Sequence, residues 1–328
     1  MEQKIDLEKC TLAVCEIAQR ARGYIKGERE KFSLESVERK HAHDYVSYVD
    51  KGSERLIVSA LRELLPEAGF ITEEGTADFE GTADIEGTAD IEGTTDFEGT
   101  GVRGCGGARN DCGRSNLVPP YPRTPAPPLL WVVDPLDGTT NFIHQYAPYA
   151  VSIALLQGRE VLIGVVYEIC ADECFYAWKG GGAHLEVKSE GVKSEKLRTE
   201  ECGVRSERLH VSSQKIQDAL LCLQLPYNSD AYKPTIKRLI DTFYGNVGSI
   251  RMCGSAAMAL CYVAAGRLDG YAEQYIGQWD YMAGSLIVME AGGTVTDYSG
   301  SSDFTQGNSV IATNGIIQQD LLTVVKSA

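Results

Sequence analysis

Apolar residues recur at helical spacing in two segments near the N-terminus. The first segment, residues 6–26, carries them mostly at intervals of three and four: Leu7, Cys10, Val14, Ile17, Ala18, Ala21 and Ile25. The second segment, residues 52–65, repeats the pattern and is ended by Pro66. A stripe of this kind favours an amphipathic helix that buries one face. The pattern therefore predicts two helices, followed by a short strand at Gly69–Thr72.

Strand patterns dominate the middle of the chain. A continuous apolar run at Leu129–Val133 is typical of a buried strand. We expect the chain to turn at Pro135, because proline cannot extend a central strand. Three further segments have strand character, with Gly158 between the first two: residues 147–157, 161–169 and 172–179. A polar stretch at about 186–206 has no apolar stripe and is predicted to be a loop.

Strands and helices alternate in the last third of the chain. The strand patterns are Leu220–Leu225, Asp269–Glu273, Thr294–Asp297 and Ser309–Ala312. The helical patterns are residues 232–244, 255–265, 280–291 and 315–326. This alternation is typical of an α/β unit. We therefore expect an α+β half at residues 1–188, a linker or loop at 189–206, and an α/β half at 207–328.

A strict six-residue repeat, EGTADF and its variants, interrupts the first half. Residues 74–100 hold nine acidic side chains and no basic one, which is typical of a solvated segment. Four full copies with one Phe or Ile each cannot supply the continuous core of a β-helix. Residues 101–128 continue in Gly, Arg, Asn, Cys and Pro, and end in a polyproline-like stretch. We predict that residues 75–128 are a disordered insertion rather than a domain.

Bulk composition narrows the class of protein. The chain has 328 residues, 43% of them hydrophobic and 23% charged, as in soluble globular proteins. A formal net charge of −15 argues against a nucleic-acid partner, which needs clustered Lys and Arg. No apolar run reaches the roughly 18 residues of a membrane span, and the charged N-terminus lacks a signal-peptide core. We therefore expect a cytoplasmic protein that binds neither nucleic acid nor membrane.

The ten cysteines form no disulfide framework. Reduced thiols in a cytosolic protein are the expected state. Cys105 with Cys112, or Cys170 with Cys174, are possible metal pairs. Neither spacing is a usual zinc arrangement, and no second pair completes a site.

The string WVVDPLDGTTNF, residues 131–142, carries the strongest chemical signal. Asp134 and Asp137 follow the apolar run, and carboxylates this close repel unless a hard cation such as Mg²⁺ joins them. Gly138 allows close backbone approach, and Thr139 or Thr140 can open a helix whose N–H groups attract phosphate. This combination suggests phosphoryl chemistry. Without the apolar lead, the same residues would indicate only a β-turn.

The full string resembles the signature of the inositol monophosphatase family, the lithium-sensitive, Mg²⁺-dependent phosphatases. Three other segments resemble that family in the same order: DYVSYVDKGSERLIVSAL, AGFITEEGT and GQWDYMAGSLIVMEAGGTVTD. The resemblance covers residues 1–74, 129–188 and 207–328. It implies a bacterial-type member with an acidic repeat insertion. It also implies a layered αβαβα sandwich of the inositol monophosphatase and fructose-1,6-bisphosphatase type, combining α+β and α/β halves.

The resemblance implies a metal site for two or three Mg²⁺. Its ligands would be Glu73, Asp134, the main-chain carbonyl of Leu136, Asp137 and Asp280. The metals would neutralise the phosphate, lower the pKa of a bound water that attacks it, and stabilise the leaving oxygen. Glu74 adjoins Glu73, and four further glutamates repeat the EGT context, but only Glu73 directly follows the predicted strand.

The same resemblance assigns catalytic and substrate-binding residues. Asp50, Glu73 and Thr139 would be catalytic, with Asp50 hydrogen-bonded to Thr139 to help activate the water. Gly138 and Thr139 would hold the phosphate through their N–H groups. Ser255, Ala256 and Glu273 would contact substrate hydroxyls, whereas Gly277 replaces a His of some members. Asp50 and Asp280 each also fit a simpler role as helix caps.

These observations favour a Mg²⁺-dependent phosphomonoesterase that acts on inositol monophosphate or a similar polyol phosphate. One alternative keeps the chemistry and changes the substrate to fructose 1,6-bisphosphate, histidinol phosphate or a nucleotide 3′-phosphate. Another is a regulatory binding protein on the same fold, as some bacterial relatives are in transcription. We expect a lithium-sensitive homodimer whose partner is a small phosphorylated polyol or sugar.

Overall fold

Two long helices and a short hairpin form the N-terminal part of the computed structural model. The structure describes residues 5–32, 37–41, 44–75, 129–188, 204–225, 229–305 and 308–326. Helix α1 is Leu7–Arg29 and helix α2 is Tyr48–Leu64, and between them β1 (Val37–His41) pairs antiparallel with β2 (Asp44–Ser47). Both predicted helices are confirmed. Helix α2 begins earlier than expected, however, so Asp50 lies in its first turn rather than ahead of it.

A seven-stranded sheet follows, in the order β3-β4-β5-β6-β7-β8-β9. Its strands are β3 (Gly69–Thr72), β4 (Leu130–Asp137), β5 (Ala150–Gln157), β6 (Glu160–Glu168), β7 (Glu173–Trp178), β8 (Gly182–Lys188) and β9 (Val204–Arg208). Strand β3 is parallel to β4, and all other neighbours are antiparallel. The short helix α3 (Thr139–Ile143) lies between β4 and β5. The predicted apolar strand and the alternating strands after it are confirmed.

The expected turn at Pro135 is wrong, because β4 continues through it to Asp137. Asp134 lies opposite Ser152 of β5 and Asp137 lies opposite Ala150, so the register shifts between them. Two residues of β4 therefore face one residue of β5, which is the arrangement of a β-bulge. A bulge leaves residues out of the hydrogen-bond ladder, and proline is tolerated where no N–H has to be donated.

The loop expected at residues 186–206 is also wrong at both ends. Strand β8 extends to Lys188, and β9 begins at Val204 and pairs with it. Sequence patterning missed β9 because its residues, VRSER, are mostly charged and polar. It is an edge strand of the sheet, and charged side chains on an edge are a common protection against further strand pairing.

A five-stranded sheet and four helices complete the fold. The strands are β10 (Leu220–Leu223), β11 (Ser249–Arg251), β12 (Gly270–Gln274), β13 (Thr294–Thr296) and β14 (Ser309–Thr313), in the order β11-β10-β12-β14-β13. The helices are α4 (Ser229–Phe243), α5 (Ala256–Ala264), α6 (Gln278–Glu290) and α7 (Gln318–Lys326). Each predicted element is present, and the three-residue edge strand β11 was not predicted.

Helices and sheets alternate in five layers, as expected. Helices α1 and α2 cover one face of the seven-stranded sheet. Ile57 of α2 and Trp131 of β4 are fully buried in the core between the helices and the sheet. Helices α5 and α6 lie between the two sheets, where Gly164 of β6 allows the backbone of α6 to approach closely at Ala283. Helices α4 and α7 cover the outer face of the five-stranded sheet.

The repeat segment connects two parallel neighbours, β3 and β4. A hairpin cannot make such a connection, because the chain has to return along the length of the strand. The connection between β3 and β4 therefore has to run back past the length of the strand rather than turn as a hairpin. Residues 76–128 themselves lie outside the described residues. No described helix is both long and apolar enough to span a membrane.

Candidate active site

The bulge of β4 presents two buried carboxylates. Asp134 is 1% exposed and Asp137 is 6% exposed. The Leu136 N–H donates to Asp134 Oδ1 at 2.9 Å, and the Ser53 hydroxyl of α2 donates to the Pro135 carbonyl at 3.1 Å. These bonds fix the shape of the bulge from within and from the neighbouring helix.

A third carboxylate comes from the start of α6. Carboxylate oxygens of Asp134, Asp137 and Asp280 lie within 4.8 Å of one another. The Gly277 N–H donates to Asp280 Oδ2 at 2.8 Å, so Asp280 caps its helix and faces the bulge at once. The Ser152 hydroxyl, opposite Asp134 in the sheet, donates to the Trp279 carbonyl at 3.0 Å and ties α6 to this point.

Glu73 joins the cluster from the end of β3. The Glu73 N–H donates to the Val133 carbonyl at 3.2 Å, which carries the β3–β4 pairing one residue past the strand. Its carboxyl group is hydrogen-bonded to that of Asp134. The structure therefore places Glu73 beside the bulge, and the glutamates of the repeats from Glu80 onward lie outside the described residues.

Mutual repulsion and burial raise the pKa values of these acids. Burial first, and then Glu73, Asp137 and Asp280, raise the pKa of Asp134 well above its ordinary value. Burial and the neighbouring acids likewise raise the pKa of Asp280. Burial raises the pKa of Asp137 to about 6, against hydrogen bonds donated by Ser255, Ala257 and Ala256 that lower it. Buried carboxylates in such proximity are stabilised by a cation.

Thr139 connects the bulge to α2, as predicted. Its hydroxyl oxygen lies 2.9 Å from Asp50 Oδ1 and 3.0 Å from the Leu136 carbonyl oxygen. Asp50 is fully buried. The hydroxyl has one hydrogen to share between these two acceptor oxygens, and its own oxygen can still accept a hydrogen bond.

Gly138 turns the chain between the bulge and helix α3 (Thr139–Ile143). Its φ of 88° lies in the left-handed region, and an added Cβ would lie 3.2 Å from the carbonyl oxygens of Gly254 and Pro148. The turn therefore requires glycine. The Asn141 amide then donates to the carbonyls of Pro148 and Cys253, which fastens α3 to the segment before α5.

Ser255 and Ala256 contact Asp137 instead of facing open space. The Ser255 hydroxyl donates to Asp137 Oδ2, and the Ala257 N–H donates to the same oxygen at 2.9 Å. The Ala256 N–H donates to Oδ1 at 3.3 Å. Ser255 is fully buried and also accepts from Met258 N–H as the cap of α5. Their observed role is to hold Asp137, and their contact with substrate stays a prediction.

Glu273 lies close enough to the acidic cluster to help raise the pKa of Asp280. The Tyr271 hydroxyl donates to its carboxylate. The pKa of Glu273 is raised to about 8, by burial first and also by Asp137, against the Tyr271 hydrogen bond, which lowers it. Arg267, a possible partner of Glu273, instead forms a bidentate ion pair with Glu173 at 2.6 and 2.7 Å.

Sequence reasoning missed Glu54, a fully buried carboxylate on α2. It accepts from the Thr72 hydroxyl at 3.0 Å and from the Glu74 N–H at 2.8 Å. It therefore holds the residue on each side of Glu73. Its spacing from Asp50 was the available signal, because residues four apart lie on one face of a helix.

These residues suit a hard divalent cation. The converging groups are carboxylates with one nearby carbonyl, and Mg²⁺ and Ca²⁺ prefer all-oxygen ligands. Within the described residues, the acidic triad is the single group of His, Cys, Asp or Glu with metal-binding proximity. Cys170 and Cys174 form no disulfide, and Cys105 and Cys112 lie outside the described residues.

Comparisons with known proteins converge on one family. The family model described as inositol monophosphatase family matches residues 6–328. An inositol-1-monophosphatase of Mesorhizobium japonicum is 36% identical over 60% of this chain and 67% of its own length. A Nus factor SuhB of Pseudomonas aeruginosa is 33% identical over 90% of this chain and 88% of its own length.

Solved structures agree with the sequence relatives. The extragenic suppressor protein suhB of Bartonella henselae is 29% identical, with a TM-score of 0.70, over 96% of this chain and 98% of that one. An IMPase of Thermotoga maritima is 25% identical, with a TM-score of 0.67, over 95% of each chain. The five-layer arrangement is thus shared with folds of known inositol monophosphatase type.

Proposed function

The chain belongs to the inositol monophosphatase family, and on that premise we propose that it hydrolyses inositol monophosphate or a similar polyol phosphate with Mg²⁺. It is a phosphatase of a metal-dependent family. Its particular substrate and metal are the proposal. The observation that carries it is the convergence of Asp134, Asp137 and Asp280 within 4.8 Å, with Glu73 and Glu273 beside them.

The acidic cluster would hold Mg²⁺ through a defined set of oxygens. The ligands would be Glu73, Asp134, the Leu136 carbonyl, Asp137 and Asp280. Bound Mg²⁺ supplies Lewis acidity toward the phosphate, the attacking water and the leaving oxygen. The protein keeps these carboxylates close together, buried and fixed. Because they carry charges of the same sign, cation binding relieves their repulsion.

Thr139 and Asp50 orient the attacking water. The Thr139 hydroxyl donates to the buried Asp50, which leaves its oxygen as an acceptor for a water proton. Asp50 then carries the negative charge that favours removal of that proton. The N–H groups of Gly138 and Thr139, at the start of α3, would hold the phosphate from the other side. The residues imply direct transfer to water, without a phosphorylated side chain.

Glu273 supports a substrate rich in hydroxyl groups. It has no proposed metal role and no part in the proposed activation of water, and Tyr271 fixes one of its oxygens. The other oxygen is available to accept from a ring hydroxyl of the substrate. Since the pKa of Glu273 is raised to about 8, the group is charged above that pH. There a hydrogen bond to the charged acceptor contributes about 1.5–3 kcal/mol, which corresponds to roughly tenfold to a hundredfold in kcat/KM.

The variant Glu273→Gln tests this assignment. We expect kcat/KM for inositol 1-phosphate to fall by roughly tenfold to a hundredfold, and turnover of a plain aryl phosphate to change much less. Glu160→Gln is a matched control, because Glu160 is exposed and pairs with Lys179 at the surface. Equal losses on both substrates would remove the reason for preferring a polyol, while leaving the phosphatase assignment intact.

A phosphate-release assay over a small panel separates the substrate alternatives. The panel contains inositol 1-phosphate, fructose 1,6-bisphosphate, histidinol phosphate and a nucleotide 3′-phosphate, each with and without Mg²⁺. We expect Mg²⁺-dependent release, fastest for inositol 1-phosphate and inhibited by Li⁺. Faster release from another member would replace the proposed substrate, and release that ignores Mg²⁺ would contradict the proposed metal.

A regulatory role is a second candidate function, because several relatives are named Nus factor SuhB. The complete acidic cluster favours catalysis, but the two roles can coexist. We also propose a cytoplasmic homodimer. Sedimentation of the purified chain tests the dimer, and a catalytically dead variant separates a binding role from the chemistry.

A further inference from the structure

Two thiols lie in contact beside the segment that leads to α5. The Sγ atoms of Cys222 and Cys253 are 3.4 Å apart. Cys222 is fully buried on β10, the second strand of the five-stranded sheet, where it lies opposite Arg251 of β11 and Tyr271 of β12. Cys253 follows β11 and is partly exposed. Both are free thiols in this structure.

Cys253 can be reached from solvent. It lines an open cavity of about 410 Å³, together with Tyr146, Tyr262 and two arginines, Arg251 and Arg267. Arg267 is paired with Glu173, whereas Arg251 donates to the Ser249 hydroxyl and the Ile250 carbonyl, which carry no charge. A small oxidant, including an anionic one, can therefore approach this thiol.

We propose that Cys222 and Cys253 form a reversible dithiol–disulfide site that responds to hydroperoxides or to small disulfides such as glutathione disulfide. With hydrogen peroxide, the Cys253 thiol is oxidised to a sulfenic acid and one water is released. The Cys222 thiol then attacks that sulfur, forms the S–S bond and releases a second water. With glutathione disulfide, two successive exchanges give the same bond and two molecules of reduced glutathione.

The hydrogen bond between the thiols assigns their roles. The Cys222 S–H donates to Cys253 Sγ, which lowers the pKa of the Cys253 thiol, and burial opposes this effect. The same bond and burial raise the pKa of Cys222. Since the thiolate is the reactive form, the accessible Cys253 reacts first and the buried Cys222 resolves the intermediate.

Closing the bond requires Cys253 to move. A disulfide is about 2.05 Å long, so the two sulfurs must approach by roughly 1.4 Å. Cys222 is held by strands on both sides, but Cys253 lies outside the sheet. Its N–H donates to Gln224 Oε1 at 2.9 Å, and its carbonyl accepts from the Asn141 amide at 2.9 Å. Displacement of Cys253 is therefore passed to α3 through Asn141.

The displacement also reaches Asp137. Cys253 is two residues before Ser255, whose hydroxyl and whose helix hold the Asp137 carboxylate. This step rests on the proposed function, because Asp137 is a metal ligand there. Misplacement by about 1 Å can cost up to about a hundredfold in rate, so the disulfide form should lose roughly tenfold or more of the turnover.

The full chain, reduced and then treated with hydrogen peroxide or glutathione disulfide, tests the proposal. Peptide mapping by mass spectrometry under non-reducing conditions should find Cys222 joined to Cys253. Turnover of an aryl phosphate should fall by roughly tenfold or more and recover with dithiothreitol. Cys222→Ala should keep its turnover under glutathione disulfide or become blocked only by a mixed disulfide at Cys253. Cys170→Ala, which removes an exposed thiol elsewhere, should respond like the wild type.

Two results would overturn the proposal. One is the absence of the Cys222–Cys253 peptide when other cysteines have been oxidised. The other is its presence without loss of turnover, which would break the link to Asp137. A failure of the phosphatase assignment is distinguishable from both, because the reduced enzyme would then release no phosphate whatever the mapping shows.

Discussion

The two sides of the acidic cluster hold their carboxylates in different ways. Asp137 is held directly, by the Ser255 hydroxyl and by two N–H groups at the start of α5. Glu73 lies at the end of β3, next to the repeat segment, and Glu54 holds the residue on each side of it. On the Asp137 side, the hydrogen bonds fix the carboxylate itself. On the Glu73 side, they fix the residues before and after the carboxylate's own residue.

This difference has an electrostatic consequence. Three donated hydrogen bonds counteract the burial of Asp137, and its pKa rises only to about 6. Asp134 is surrounded by acids, and burial and repulsion raise its pKa well above its ordinary value. A directly held carboxylate is therefore ready to bind a cation near neutral pH. On the other side, Glu54 fixes the backbone around Glu73. The position of Glu73 should therefore not depend on the repeat segment that follows it.

Asp134 lies beside both Glu73 and Asp137, so removing its carboxylate should have the largest effect. Asp134→Asn should lower turnover by roughly a thousandfold or more, equivalent to about 4 kcal/mol of the activation barrier. The fold should persist, and thermal stability without Mg²⁺ should rise because one charge leaves a repelling cluster. Steady-state kinetics and a melting curve check this. Near wild-type turnover would show that the metal site is wrongly assigned.

Glu54 and Ser255 test the two modes of support against each other. Glu54→Ala should raise the Mg²⁺ concentration needed for half-maximal activity by roughly tenfold to a hundredfold, because bonds to a charged acceptor are lost on both sides of Glu73. Ser255→Ala should raise it by under about tenfold, since two N–H groups still hold Asp137.

Glu54→Gln is the matched control for this pair, because it keeps the size of the side chain and one acceptor oxygen. It should recover part of the Mg²⁺ affinity lost in Glu54→Ala. A Glu54→Ala protein that loses stability but needs no more Mg²⁺ than the wild type would mean that Glu54 is only a packing residue. A larger effect of Ser255→Ala would reverse the comparison.

The raised pKa values predict how stability depends on pH without metal. The pKa of Asp137 rises from 3.8 to about 6, and the pKa of Glu273 rises from 4.5 to about 8. A carboxyl whose folded pKa is raised contributes stability that is present below its unfolded pKa and is lost as pH rises through the folded pKa. The metal-free protein should therefore melt several degrees lower above pH 8 than at pH 5, by roughly 2–4 °C per kcal/mol lost.

Saturating Mg²⁺ should remove most of that pH dependence, because it neutralises the carboxylates that repel. The Asp134→Asn variant should show a weaker slope than the wild type in the absence of metal. A melting temperature that rises with pH in the metal-free protein would contradict the sign of the shifts.

Replacing the repeat segment should have the smallest effect. Residues 76–128 can be exchanged for a Gly/Ser linker of about 15 residues, which is enough for the return along β4 that parallel strands require. Loop closure favours the shorter link by about 1 kcal/mol, and Glu54 should keep Glu73 in place. Thermal melting and aryl phosphate turnover should both stay close to the wild type. Collapse of the truncated protein would show that the segment contributes to the fold.

Local patterns predicted most of the secondary structure, and they failed for identifiable reasons. The apolar stripes of α1 and α2 and the alternation of the second half were readable because a buried face imposes its own period. Pro135 was misread because a bulge removes the need for its missing N–H. Strand β9 was missed because an edge strand has little to bury.

The sequence alone identified the pair Asp134 and Asp137, because both follow one apolar run. Their convergence depends on the bulge, because residues three apart on a regular strand face opposite sides of the sheet. It also identified the Asp50–Thr139 hydrogen bond, though only through a family resemblance. Only the tertiary structure decided the hydrogen bonds that keep the proposed ligand residues in place. Glu54 contacts Thr72 and Glu74, and Ser255 contacts Asp137 across more than a hundred residues. Such contacts arise where packed layers bring strand ends and helix starts together, and no spacing along the chain encodes that meeting.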